Sequence, residues 1–122
     1  MQRIGETELI IRRMEKPESS AVLVLTGYLQ RREANEILKI TSSLQDEKFT
    51  RIIFDLAEVK YANSSAIGAF VNCASTLKTQ GGRAILLGMR QNLRRVFDTL
   101  GLTGLFSVAA TADEAMQAAV QQ

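Results

Sequence analysis

The chain has 122 residues, enough to bury one real core and too few for two independent ones, so residues 1–122 are expected to form a single folding unit. Apolar residues make up 46% and charged residues 23%, with one Pro and eight Gly, which excludes low-complexity and collagen-like chains. The net charge of +2 arises from 15 basic and 13 acidic residues spread along the chain, so no general field for nucleic acid exists and direct nucleic-acid binding is not expected.

One cysteine, Cys73, cannot form an intramolecular disulfide, and the first residues lack the basic start and apolar core of a signal peptide. Both features make a cytoplasmic location the default expectation. The longest apolar run, Ala21 to Leu25, falls far short of the roughly 20 residues that cross a bilayer. Integral membrane association is therefore not expected.

In chain order, Glu8 to Arg12 groups Leu9, Ile10 and Ile11 and is followed by Lys16, Pro17, Glu18 and Ser19, which reads as a strand and a hairpin turn. Ala21 to Leu25 predicts a second strand, buried on both faces and closed by Gly27. From Arg32 to Leu44 the apolar positions Ala34, Ile37, Leu38 and Leu44 share a helical face, leaving Arg31, Glu33, Glu36 and Lys39 for solvent. Arg51 to Leu56 predicts a third strand, and a short connection leads to Asn63. Ile67, Phe70, Val71, Ala74 and Leu77 recur at helical spacing, predicting a second helix from Ser64 to about Gln80, stopped by Gly81 and Gly82.

Arg83 to Leu87 is a fourth strand, broken by Gly88. Leu93, Val96, Phe97 and Leu100 form the apolar stripe of a third helix that stops at Gly101. A short apolar piece near Phe106 and Val108 precedes Thr111 and Glu114, whose spacing is that of a capping box opening a last helix with Ala115, Met116 and Ala119 turned inward. Alternating strands and helices after residue 50 require parallel crossovers, whereas the opening pair can be antiparallel. The expected class is α/β, a mixed β-sheet packed by about four α-helices.

Chemistry narrows next. The chain has no histidine, the commonest general base and metal ligand, so neither a catalytic centre nor a metal or cofactor site is expected. Asp55 and Glu58 lie near Ser64 in sequence, but an Asp at a strand end more often stabilises a turn. Gly81-Gly82 lacks the Lys-Ser or Lys-Thr that completes a phosphate-binding loop. Cys73 stands among Phe70, Val71, Ala74 and Leu77, where packing is the ordinary use of a thiol. Arg90, Arg94 and Arg95 form a basic cluster that could meet phosphate or acidic side chains, but without interleaved aromatics a solvated helix face is the ordinary reading.

The informative stretch runs from Tyr61 through Ala62, Asn63, Ser64, Ser65, Ala66 and Ile67 to Gly68. Asn63 is a favoured N-cap residue, and it places two hydroxyls among the free amides of a helix start, where a phosphate would be electrostatically welcome. Ordinary capping and regulated phosphorylation both fit these residues. A face made by Tyr61, Asn63, Ser64, Ser65, Ile67 and Gly68 would offer a protein partner a modifiable polar centre with apolar neighbours.

Four segments, Ile52-Ile53-Phe54-Asp55-Leu56, Ser64-Ser65-Ala66-Ile67-Gly68, Gly81 to Leu87, and Gly101-Leu102-Thr103-Gly104-Leu105-Phe106, together resemble the STAS domain of bacterial anti-sigma factor antagonists. The resemblance covers nearly the whole chain. It implies a mixed sheet packed by helices, and a serine at the start of the second helix, Ser64 here, that a partner anti-sigma serine kinase phosphorylates. It also implies that the unphosphorylated protein binds an anti-sigma factor and frees a sigma factor, and that phosphate blocks the docking. The same family supplies STAS subunits of stressosome-like and lipid-transport ABC assemblies, the alternative role, and homo-oligomers are compatible with it. Asn63 stands where the family usually has Asp, and Ala66 where it usually has Gly. The methyl of Ala66 is thus expected where a partner would approach the backbone.

Overall fold

A computed structural model of the chain describes the backbone of residues 2–4 and 7–14 and the whole of residues 20–120. Among these residues the strands β1 (Gln2–Ile4), β2 (Thr7–Met14), β3 (Ser20–Leu29), β4 (Arg51–Ala62), β5 (Arg83–Leu87) and β6 (Ser107–Ala109) form one sheet in the order of the chain. The β1–β2 and β2–β3 pairs are antiparallel, and β3–β4, β4–β5 and β5–β6 are parallel. The parallel pairs are bridged by helices α1 (Arg31–Asp46), α2 (Ser64–Thr79) and α3 (Gln91–Thr99), and α4 (Ala112–Val120) follows β6. The expected mixed sheet with four helices is what the chain forms. The turn expected at Lys16 to Ser19 lies outside the described residues.

Alternation along the strands splits the interior into two layers. Ala21, Leu23 and Leu25 of β3, Ile52, Phe54 and Leu56 of β4, and Ala84 and Leu86 of β5 join the buried faces of α1, α2 and α3. Phe54, Phe70 and Phe97 are its largest fully buried side chains; Phe54 meets Phe70 edge-on at 4.9 Å between centroids. Burying such a ring contributes roughly 1.5–3 kcal/mol. On the opposite face Ile53, Ile85 and Ala109 pack with Ala115 and Ala119 of α4.

Several sequence expectations change here. The second strand is not buried on both faces: Val22 and Val24 are only half-buried, because α4 packs on β4, β5 and β6. Gly27 does not close that strand. At φ 84° it sits within a stretch of register shifts, and β3 continues to Leu29. The connection expected at residues 57–62 is strand, with Tyr28 paired to Tyr61 and Leu29 to Ala62. Glu33 is buried rather than solvated, since its carboxylate turns back to accept the Gln30 N–H at 2.8 Å at the start of α1. In α3 only Leu93 and Phe97 enter the core, while Val96 and Leu100 are 40% and 57% exposed. The last helix opens as expected. Thr111 Oγ1 accepts from the Glu114 N–H at 3.2 Å, although the Glu114 carboxylate reaches the Ala110 N–H at 2.7 Å.

The glycine pair after α2 does two different jobs. Gly81, at φ 75°, lets the helix end in a Schellman turn, in which the Gly82 N–H reaches Leu77 O at 2.8 Å and the Gly81 N–H reaches Lys78 O at 3.1 Å. Gly82 is needed for space. A Cβ there would lie 1.9 Å from the Thr50 carbonyl oxygen, which accepts the Arg83 N–H at 2.9 Å where β5 joins β4. Gly81→Ala has open space and is expected to lose about 1–2 kcal/mol for its left-handed backbone. Gly82→Ala should lose more, because the Thr50 backbone must move. Urea unfolding of the two variants checks this, and the reverse ranking would contradict the steric account.

Candidate functional site

The site is built where β3 and β4 outrun the rest of the sheet. The β2 pairing ends at Leu25 and the β5 pairing at Asp55, so Thr26 to Leu29 and Glu58 to Ala62 continue as a two-stranded extension. One side of this extension, with Leu29, Val59 and Ala62, is buried in the helical layer. Tyr28 and Tyr61 are in register and are 52% and 50% exposed. The open edge of β4 is tied down by α3. Arg90 Nε donates to Ala57 O at 3.1 Å, and Asn92 Nδ2 donates to Lys60 O at 3.4 Å.

Asn63 joins this extension to α2 through three hydrogen bonds. Its N–H donates to Leu29 O at 2.9 Å, its carbonyl accepts from the Ile67 N–H at 3.0 Å, and its side-chain Oδ1 accepts from the Ala66 N–H at 3.0 Å. With φ −83° and ψ 179° it is the N-cap that the sequence pattern indicates. The amides of Ser64 and Ser65 belong to the first turn, whose donors have no partners within the helix, and no acidic residue of that turn offsets the helix dipole. Both serines are exposed.

The six residues of the expected docking face are therefore not all on one surface. Tyr61, Ser64, Ser65 and Gly68 are exposed, and Asn63 is half-buried with its side chain engaged in the cap. Ile67 is only 7% exposed and belongs to the core, because the helical turn that brings Ser64 and Gly68 outward carries Ile67 inward. Ala66 is fully buried, so its methyl does not stand between the backbone and an approaching partner. Open space surrounds Gly68 instead, where an added Cβ would meet nothing within 4 Å. Tyr28 is a further exposed residue of this surface. It comes beside Tyr61 only through the β3–β4 register, and no local pattern marks it.

The acidic residues considered as helpers of Ser64 are otherwise engaged. Asp55 accepts from the Ala57 N–H at 3.2 Å, two residues along β4, and Glu58 lies 3.5 Å from Arg90. Among the described residues no cluster of His, Cys, Asp or Glu could hold a metal, and no helix is long and apolar enough to cross a membrane. Cys73 is fully buried, and burial pushes its thiol from the usual value near 9 up to about 12, against the opposing effect of a hydrogen bond with Thr41. The neutral thiol is thus a packing group.

A capped helix start presenting two serines, set between parallel strands, can be compared with known proteins. Residues 12–115 match the family model described as STAS domain. The chain belongs to the STAS domain family. This STAS domain is 30% identical over 98 residues to an anti-sigma F factor antagonist of Lysinibacillus sphaericus, covering 80% of this chain and 83% of that one. It superposes on the Bacillus cell fate determinant SpoIIAA in its phosphorylated form with a TM-score of 0.70 and 26% identity, covering 91% and 96% of the two chains. An anti-sigma factor antagonist from Mycobacterium paratuberculosis shares the fold at a TM-score of 0.82 with 15% identity, over 99% of this chain and 100% of the other.

The capping geometry of this STAS domain sets a stability ranking. Asn63→Ala removes the side-chain acceptor and is expected to lose about 0.5–2 kcal/mol, whereas Asn63→Asp keeps it and adds charge at the positive helix end, remaining neutral or stabilising. Denaturant unfolding at neutral pH that placed Asp below Ala would contradict the cap.

Cys73 gives a pH signature. The unfolded thiol ionises from about pH 9 while the folded thiol resists, so stability contributed by the neutral thiol is present below pH 9 and declines above it, by up to about 1.4 kcal/mol per pH unit. The stability difference between wild type and Cys73→Ala should therefore shrink as pH rises above 9; a constant difference would contradict the burial of the thiol.

Proposed function

We propose that this STAS domain is an anti-sigma factor antagonist, a binding regulator rather than an enzyme. In this reading it sequesters an anti-sigma factor in the cytoplasm until phosphorylation of Ser64 by a partner serine kinase releases it. The observation that carries the reading is the start of α2, where Asn63 is locked by three hydrogen bonds and holds Ser64 and Ser65 exposed beside Tyr61 and Gly68. A docking surface needs small residues that let a partner come close and a rigid frame that loses little entropy on binding. The inner residues Ala66 and Ile67 supply the frame, while Ser64, Ser65 and Gly68 supply the close approach.

The switch follows from two opposed consequences of one charge. A phosphate on Ser64 adds about 1.5 to 2 negative charges. Within the domain those charges meet the positive end of α2 and the free amides of its first turn, so the fold tolerates them. In a docked interface they must be stripped of water against a surface shaped for a hydroxyl, and an unpaired desolvated charge is strongly unfavourable. Stability and affinity therefore move independently. Asn63, in place of the family's usual Asp, keeps the cap and leaves this helix start less negative, which makes it more hospitable to a phosphate.

Mass spectrometry after incubation with ATP and the cognate anti-sigma kinase should find phosphate on Ser64; modification confined to Ser65 would reassign the switch. Calorimetry with the anti-sigma factor should give Ser64→Ala near wild-type affinity and Ser64→Glu a loss of about 2 kcal/mol or more, with circular dichroism unchanged for both. Equal affinities for the two variants would remove charge control from the mechanism.

A further inference from the structure

A single peptide unit joins the start of α1 to the start of α2. The Leu29 carbonyl accepts the Asn63 N–H at 2.9 Å, and the Gln30 N–H, at the other end of the same peptide bond, donates to Glu33 Oε1 at 2.8 Å. A trans peptide is planar, with its C=O and N–H pointing opposite ways, so the carboxylate that holds the N–H also aims the carbonyl. The sheet leaves that aim loosely set. The β3–β4 register shifts twice before Leu29, between Val24 and Thr26 and again between Gly27 and Tyr28, so regular pairing does not carry through to the last peptide of β3.

Glu33 is also a costly choice for its place. The residue is 7% exposed, and its carboxylate makes the bond to Gln30 but no ion pair among the described residues. A buried carboxylate without a cation is unfavourable. The equivalent N–H at the start of α2, that of Asn63, is satisfied by a neutral carbonyl. What a carboxylate adds is a charge-assisted bond, roughly twice as strong as a neutral one, which polarises the peptide and makes Leu29 O a better acceptor.

We propose that Glu33 is a positioning residue for the Ser64 site, acting through the Leu29–Gln30 peptide to hold Asn63 and with it the first turn of α2. The proposal rests on the reading that Ser64 and its neighbours dock the partner. Three links make the relay: Glu33 to the Gln30 N–H, Leu29 O to the Asn63 N–H, and Asn63 Oδ1 to the Ala66 N–H. The last link closes the turn that carries Ser64 and Ser65. Releasing Glu33 therefore loosens both serines while touching neither, and a partner then binds more weakly because it must first order the surface it meets.

The experiment follows amide hydrogen exchange by NMR at Asn63 and Ala66, each referred to Phe70 in the middle of the same helix, in wild type, Glu33→Ala, Glu33→Asp and Glu33→Gln. Phe70 reports opening of the whole helix, so the ratio isolates the first turn from any general loss of stability. Glu33→Ala is expected to speed exchange at Asn63 and Ala66 about tenfold relative to Phe70. Glu33→Asp, which keeps the charge on a shorter side chain, should follow it, and Glu33→Gln, whose amide oxygen can accept the same bond, should recover most of the protection. Calorimetry with the anti-sigma factor should show the same order of affinities, with Glu33→Ala about tenfold weaker than wild type. Exchange ratios unchanged in both Glu33→Ala and Glu33→Asp overturn the proposal. Faster exchange with wild-type affinity, while Ser64→Glu still impairs binding, also overturns it and leaves the Ser64 reading standing. Faster exchange rescued by Glu33→Gln, with Ser64→Glu at wild-type affinity, supports Glu33 as the residue that positions the start of α2 and removes the Ser64 reading.

Discussion

The parallel pairing of β3 with β4 beyond the limits of their other neighbours is the constraint on which the site depends. Because Leu29 and Ala62 remain in register at its far end, the carbonyl of Leu29 is in place to accept the Asn63 N–H. That hydrogen bond fixes the residue from which α2 starts, and the Asn63 side chain then fixes the first turn through Ala66. Exposure of Ser64 and burial of Ile67 follow from helical geometry once the first turn is set. A one-residue slip in the extension would turn its buried and exposed residues over and move the serines with them.

The same arrangement explains how one short segment can meet two demands. Its inward residues, Ala66, Ile67, Ala69 and Phe70, belong to the core, so they cannot change without disturbing packing. Its outward residues, Ser64, Ser65 and Gly68, touch little of the domain, so their chemistry can change with small effect on the fold. A covalent charge at such a position acts on whatever docks there. On the proposed reading, this division is what lets phosphorylation act as a binding switch without being an unfolding switch.

Helix α3 adds a tether. Arg90, its N-cap residue, and Asn92 of its first turn cover carbonyls along the β4 edge that β5 leaves open, so part of the basic cluster is structural. The covered carbonyls blunt an edge that could otherwise pair with another chain. Arg94 is held by Asp98, one turn along, and Arg95 is left facing solvent. Three arginines that look alike in sequence thus have different surroundings. Only their neighbours in space separate a latch from a free charge.

How much was legible in the sequence follows from which interactions are local. The fourth strand, Arg83 to Leu87, and the second helix from Ser64 were readable because apolar spacing, an Asn cap and a Gly-Gly stop all lie within a few residues of the elements they define. The capping role of Asn63 was readable for the same reason. The length of β4 was not, because residues 57–62 become strand only by pairing with a β3 that itself continues through Gly27 in a shifted register.

Burial was the other quantity decided in space. Glu33 has the composition of a solvated position until its carboxylate finds the Gln30 amide, and Val96 and Leu100 have the spacing of core residues until the helix docks through Leu93 and Phe97 alone. Sequence by itself determined the four helices, the parallel crossovers and the serine at the helix start, since these rest on local periodicity and capping. Tertiary structure decided which face of each element is used: it brought Tyr28 beside Tyr61, turned Ile67 and Ala66 inward and left Arg95 without a partner. The physical reason is that a helix or strand offers more than one apolar face, and the choice between them is made by what the rest of the chain packs against it.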